Sequence, residues 1–161
     1  MSQFFRASVG IAVLNSNGEL LALERYEHPG AWQLPQGGLE EGEEPLDAAR
    51  RELLEETGLE WDQVELMGEH PRWLAYELEP GARTADLGRG QVQRWFVVRL
   101  TAPDAEVDLT RVDERKGHPE FRASAWMAPS ELLDSAAAFR LPVYEPLVDF
   151  IQASCRPPRR R

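Results

Sequence analysis

Apolar side chains run almost unbroken through residues 7–14, ASVGIAVL, the pattern of a strand covered on both faces. Asn17-Gly18 follows, a two-residue hairpin signal, and ELLALERY (19–26) reads as the partner strand. EHPG (27–30) reads as a loop, and AWQLP as a short strand that runs into the pair Gly37-Gly38. A helix is predicted from Pro45 to Thr57, with proline in its first turn and Gly58 at the C′ position. Leu46, Ala49 and Leu53 form its apolar stripe. Four more strands follow in VELMGEH (64–70), RWLAYEL (72–78), QRWFVVRL (93–100) and FRASAWM (121–127). Between them, EPGARTADLGRG (79–90) reads as a mobile surface loop, and 104–119 is charged and less regular. A short helix near 130–136 and a longer one near 143–153 close the chain. Trp32, Trp95 and Trp126 read as core. Strands on both sides of the first helix predict a mixed α/β architecture, with strand order left open.

Composition narrows the setting. The 161 residues suit one domain, placed at 1–154, and RPPRRR (156–161) with Cys155 before it reads as a disordered basic tail, 155–161. The single cysteine excludes an internal disulfide and points to a reducing cytoplasm. No apolar run reaches the ~18 residues of a membrane span, so no membrane partner is expected. The net charge of −10 argues against non-specific nucleic-acid binding. It leaves room for one polyphosphorylated end held through metal ions.

The chemistry gathers on the first helix. At about 100° per residue, Glu52, Glu55 and Glu56 share a stripe roughly 100° wide, and Glu52 and Glu56 are like charges one turn apart. Glu40, Glu41, Glu43, Glu44 and Asp47 flank it. A solvated acidic face is the plain reading of such a stripe. The neighbouring glycine pair, where backbone can approach a ligand, favours a site instead. His28, His70 and His118 stand apart from one another in sequence and read as surface or core residues. Oxygen donors without a Cys/His cluster suit Mg²⁺ or Mn²⁺, ions that share their coordination with substrate phosphates.

From Gly37 to Leu59, GGLEEGEEPLDAARRELLEETGL resembles the Nudix hydrolase box at every fixed position: Gly37, Glu43, Arg51, Glu52, Leu53, Glu55, Glu56, Gly58 and Leu59. Outside the box, WQLPQGG, RWLAYEL, GQVQRWFVVRL, PEF with SAWM, and AFR are similar to the bacterial RNA pyrophosphohydrolase and asymmetric diadenosine tetraphosphate hydrolase branch. The chain departs from that branch in the longer, acidic segments 79–90 and 104–119 and in an extra residue in EHPGA.

The resemblance implies a single-domain Nudix α/β/α sandwich with a mixed β-sheet. It implies Mg²⁺-dependent cleavage of a pyrophosphate linkage, with Mn²⁺ able to substitute and two or more ions present with substrate. Release of pyrophosphate from the 5′ end of triphosphorylated RNA is the expected reaction. Hydrolysis of a dinucleoside polyphosphate is the alternative, and a non-catalytic nucleotide-binding regulatory module is set against both. Intact box glutamates favour the enzyme. No obligate protein partner is evident.

The same resemblance assigns the residues. Glu52, Glu55 and Glu56, with a carbonyl of Gly37 or Gly38, would hold metal. Glu120, in HPEF, would add a catalytic or metal-binding carboxylate, and the general base is either Glu120 or a box glutamate. Arg51 and Glu43 are structural within the box. Arg6, Arg25, Tyr76, Gln93 and Arg94 are candidate polyphosphate contacts, and Phe139 and Arg140 fall where a nucleotide base is stacked and held.

Overall fold

The computed structural model describes residues 4–110, 112–113 and 117–155. The basic segment 156–161 and Met1–Gln3 lie outside the described residues. Strand β1 spans Phe5–Leu14, β2 Leu20–Arg25, β3 Trp32–Gln33 and β4 Gln36–Gly38. Helix α1 covers Pro45–Thr57. Strands β5 (Val64–Glu69), β6 (Leu74–Glu77), β7 (Gly90–Leu100), β8 (Val112–Asp113), β9 (His118–Pro119) and β10 (Phe121–Met127) follow, then helices α2 (Pro129–Ser135) and α3 (Leu141–Ser154).

Eight of these strands form one sheet, ordered β10-β2-β1-β7-β5, with β3 on β2, β4 on β1 and β6 on β7. The β1–β7 pair is parallel over its whole length, from Phe5↔Gly90 to Leu14↔Arg99, and the other pairs are antiparallel. The sheet is therefore mixed, as the resemblance implies. β8 and β9 form a small hairpin inside the segment read as irregular.

Strand alternation sorts the side chains into two cores. On one face Val9, Ile11, Val13, Leu21, Leu23, Phe96 and Val98 meet Ala48, Ala49 and Leu53 of α1. On the other, Ala12, Leu14, Leu20, Trp95 and Val97 meet Leu132 of α2 and Val143, Tyr144, Leu147 and Ile151 of α3. That is the α/β/α sandwich. β1 packs on both faces and is buried from Ser8 to Leu14, which accounts for its unbroken apolar run.

Helix α1 ends as its sequence predicts. Gly58 takes φ +74°, and its N–H donates to the Leu54 carbonyl at 2.9 Å. The glycine pair that follows AWQLP is itself in a strand, Gln36–Gly38. Val9↔Gly37 and Ser8↔Gly38 are in register, so the backbone that faces α1 is fixed by the sheet. Cys155, assigned to the tail by sequence, is buried at the end of α3, where its N–H donates to Ile151. Segment 79–90 carries a 3₁₀ turn at Pro80–Ala82 and a Thr84↔Gly88 bridge. Among the tryptophans read as core, Trp95 is fully buried, whereas Trp32 and Trp126 are half-buried.

Candidate active site

The site begins where β4 meets α1. The apolar stripe of α1 rests on the sheet, and this turns the adjoining glutamates inward: Glu52 and Glu56 are each only 8% exposed. Glu55 stays in solvent, with its side chain 52% exposed. Gly37 packs directly against the Glu52 carboxylate, and any Cβ there would overlap it. A side chain at this position would displace that carboxylate.

Arg51 organises the box. Its Nε and Nη2 donate to Glu43 at 2.9 and 2.8 Å, Nη1 to Glu52 at 2.7 Å, and Nη2 also to the Gly38 carbonyl at 2.9 Å. Glu55 lies at 3.5 Å from the same Nη1. The guanidinium hydrogen bonds hold Glu43 below the usual carboxylate range, and Arg51 itself is raised by Glu43. Both residues expected to be structural therefore have their polar groups engaged within the box.

The two buried glutamates are short of compensating charge. Burial pushes Glu52 up to about 7 despite the Arg51 contact, with Glu55 and Glu120 adding to the rise. Burial raises Glu56 as well, reinforced by Glu120 and Glu52 and opposed by the Gln36 N–H, which donates to Glu56 Oε2 at 3.0 Å. Glu120, carried on the turn between β9 and β10, is brought to this cluster from across the sheet and pairs with Arg25 at 3.1 Å. The Nε of Arg25 is buried without a hydrogen-bond partner.

This donor set is all oxygen, and buried like-charged carboxylates are relieved by a hard divalent cation. The residues fit such an ion. Among the described residues, however, no three acidic, histidine or cysteine side chains converge as a ready metal cage. Glu52 and Glu55 share Arg51, and Glu120 holds Arg25.

A second group of predicted residues gathers on the α3 side of the sheet. The rings of Tyr76 and Phe139 lie 5.2 Å apart, and the Arg140 guanidinium sits 5.0 Å from the Phe139 centroid and 5.5 Å from that of Tyr76. Tyr76 and Phe139 border a cavity of about 550 Å³ whose rim includes Phe5, Glu77, Glu79 and Pro142, and Arg140 lies behind their rings. Arg140 is only 7% exposed; its Nη1 donates to Gln36 Oε1 at 3.0 Å and its Nη2 to Gln33 Oε1 at 3.3 Å. Arg6 is exposed on β1, with its guanidinium over Gly38.

Two expected phosphate contacts are engaged elsewhere. Gln93 is 1% exposed: Oε1 accepts from Trp95 Nε1 at 3.1 Å, and Nε2 donates to Gln36 at 2.7 Å and Gln91 at 3.2 Å. Its amide is a buried brace, with no donor left for a phosphate. Arg94, the next residue on β7, projects from the opposite face, where it pairs with Glu69 and lies 5.4 Å from the Trp73 ring centroid. Arg25 contacts Glu120 rather than Phe139, so it belongs to the carboxylate cluster. Gln36 was missed by sequence reasoning although WQLPQGG drew attention to the stretch, because its partners become visible only once β4 and β7 are both in register with β1.

Known proteins place the chain. The model of the NUDIX domain matches residues 4–147. RNA pyrophosphohydrolase of Dinoroseobacter shibae is 39% identical over 149 residues, covering 90% of each chain. Nudix hydrolase 26, chloroplastic, of Arabidopsis thaliana is 36% identical over 147 residues, which cover 88% of this chain and 66% of that protein. Among solved structures, a binary complex of C. elegans Ap4A hydrolase superposes with a TM-score of 0.68 at 21% identity, covering 92% of this chain and 98% of that one.

Proposed function

We propose that this chain, which belongs to the NUDIX domain family, removes pyrophosphate from the 5′ end of triphosphorylated RNA. The family makes it a pyrophosphate-cleaving hydrolase; the RNA substrate is our reading. The observation that carries it is the pairing of two sites. A buried Glu52/Glu56 pair, suited to divalent ions, lies one hydrogen-bonded residue, Gln36, away from Arg140 in an aromatic pocket. Identity of 39% to an RNA pyrophosphohydrolase over 90% of the chain supports the choice of substrate.

Glu52, Glu55, Glu56 and Glu120, with a carbonyl of Gly37 or Gly38, would hold Mg²⁺. Such ions polarise the phosphoryl oxygens, stabilise the leaving phosphate and acidify the attacking water. The chain's own residues do the rest. Arg51 fixes Glu52 and the β4 backbone in one position, while the burial of Glu52 and Glu56 keeps bulk water away from their carboxylates. Arg6 and the free Nε–H of Arg25 offer donors to phosphate oxygens. Tyr76, Phe139 and Arg140 stack a base beyond the terminal nucleotide, a contact worth about 1–3 kcal/mol per base.

The same pocket accepts the base of a dinucleoside polyphosphate, which is the second reading. Turnover with Mg²⁺ on triphosphorylated RNA, diadenosine tetraphosphate and nucleoside triphosphates separates the two. Fastest release of pyrophosphate from RNA is the expected result. Far more efficient cleavage of the dinucleotide would replace the first reading with the second.

A further inference from the structure

Among the described residues, Gln36 is the one whose hydrogen bonds reach both Glu56 and Arg140. Its backbone N–H donates to Glu56 Oε2 at 3.0 Å, and its side-chain Oε1 accepts from Arg140 Nη1 at 3.0 Å and from Gln93 Nε2 at 2.7 Å. Strand β4, which carries it, is three residues long and pairs only with β1. Pro35 and the glycines that follow supply no polar side chain to fix it. The amide of Gln36 is therefore the side-chain anchor of β4 on the α3 face.

Arg140 depends on that anchor in return. Arg140 is buried, yet among the described residues no carboxylate lies within ion-pair distance of it. A buried cation without an anion relies on neutral acceptors, and here these are the amide oxygens of Gln36 and Gln33. Both Nη groups are committed at their edges, so the flat face of the guanidinium is set against Phe139 and Tyr76. Any base that stacks in the pocket meets Phe139 and Tyr76, whose rings rest against a cation tied to β4.

We propose that Gln36 is a positioning residue that couples occupancy of the base pocket to the placement of Glu56. A base held against Phe139 steadies Arg140 through that ring, and Arg140 steadies the Gln36 amide. The amide steadies the β4 backbone, and the Gln36 N–H then holds the Glu56 carboxylate against the phosphate-binding cluster. The inference rests on the functional reading above, in which Glu56 serves the phosphates and Arg140 the base.

A double-mutant cycle tests it, with Gln36→Leu, Arg140→Met and the pair. The substrate is whichever of triphosphorylated RNA and diadenosine tetraphosphate the wild-type protein cleaves. The wild-type rates judge the functional reading by themselves; the cycle judges the coupling. Gln36→Leu should lower kcat about tenfold with little change in KM, while leaving a substrate too short to fill the pocket, such as a nucleoside triphosphate, within about twofold of wild type. On the long substrate Arg140→Met should lower kcat by a similar factor with a larger rise in KM, and the double variant should lose no more in kcat than the worse single one. In the metal-free protein, affinity for a 5′-monophosphorylated dinucleotide, which carries the second base, should fall by a similar factor in both single variants and no further in the pair. Multiplying effects, or an equal loss on the short substrate, would overturn the coupling. Gln36→Met, close to glutamine in shape, repeats the cycle if the leucine variant melts early; an unchanged kcat in it also overturns the proposal.

Discussion

Glu56 is enclosed by protein, with its Oε2 held by the Gln36 N–H while two other acids lie close enough to raise its pKa. Replacing it by glutamine keeps the shape and removes the charge that a divalent ion needs. Glu56→Gln should therefore cost roughly 10²-fold or more in turnover with Mg²⁺, the scale set by loss of a catalytic group. The metal-free variant should melt no lower than wild type, because a buried charge and its repulsion with Glu52 are gone. Near wild-type turnover would remove Glu56 from the metal set. Glu120 is different in kind: it reaches the cluster from the β9–β10 turn and shares its charge with Arg25. Glu120→Ala should reduce kcat much more than it raises KM, because Arg25 stays available to the substrate while a group serving the transition state is lost. Steady-state kinetics on one substrate separates these outcomes.

At the scale of the element, α1 shows what a sequence can and cannot disclose. Its limits, its glutamate stripe and its glycine stop are local properties of 3.6-residue periodicity and capping, so they could be read along the chain. The rotation of the helix could not. Which glutamates are buried is decided by Ala48, Ala49 and Leu53 docking on β1 and β4, and this leaves Glu55 in solvent while Glu52 and Glu56 are enclosed. Long-range register likewise decided that Gly37-Gly38 is a strand and that Gln93 and Arg94 point to opposite faces. Those depend on pairing partners up to about 85 residues away. The burial of Glu52 has a thermodynamic consequence. Its carboxyl titrates near 4.5 when unfolded and near 7 when folded, so between those values the folded form binds the extra proton. This contribution to stability is full below about 4.5 and is lost as pH rises through about 7. In chelator, the melting temperature should fall more steeply over that window for wild type than for Glu52→Gln. Added Mg²⁺ should restore it at the upper end.

For the molecule as a whole, the sandwich sets the division of labour: α1 supplies charge on one face and α3, through the Phe139–Arg140 turn before it, supplies stacking on the other. β4 lies where the two meet. Removing the ring at Phe139 should then act on long substrates only. Phe139→Ala is expected to impair cleavage of triphosphorylated RNA about tenfold, the scale of one lost stacking contact, and cleavage of a free nucleoside triphosphate far less. Equal losses on both would make Phe139 a packing residue between Tyr76 and α3. On the proposed RNA substrate, the net charge of −10 should keep binding along the body of the RNA weak and leave affinity to the phosphorylated end and the stacked base.

The parallel pairing of β1 with β7 also governs the birth of the protein. One edge of β1 meets β2 and β4 within the first 38 residues, but the other has no partner until the ribosome has added residues 90–99. At about 5–20 residues per second, that edge waits several seconds after β1 is made. It carries FRASVGIAVL, an apolar strand with unsatisfied backbone groups, during the whole interval. Neighbouring ribosomes on one message hold several such edges close together. A chain that stalls before residue 90 keeps its edge open indefinitely, and two of them can join where β7 should have been.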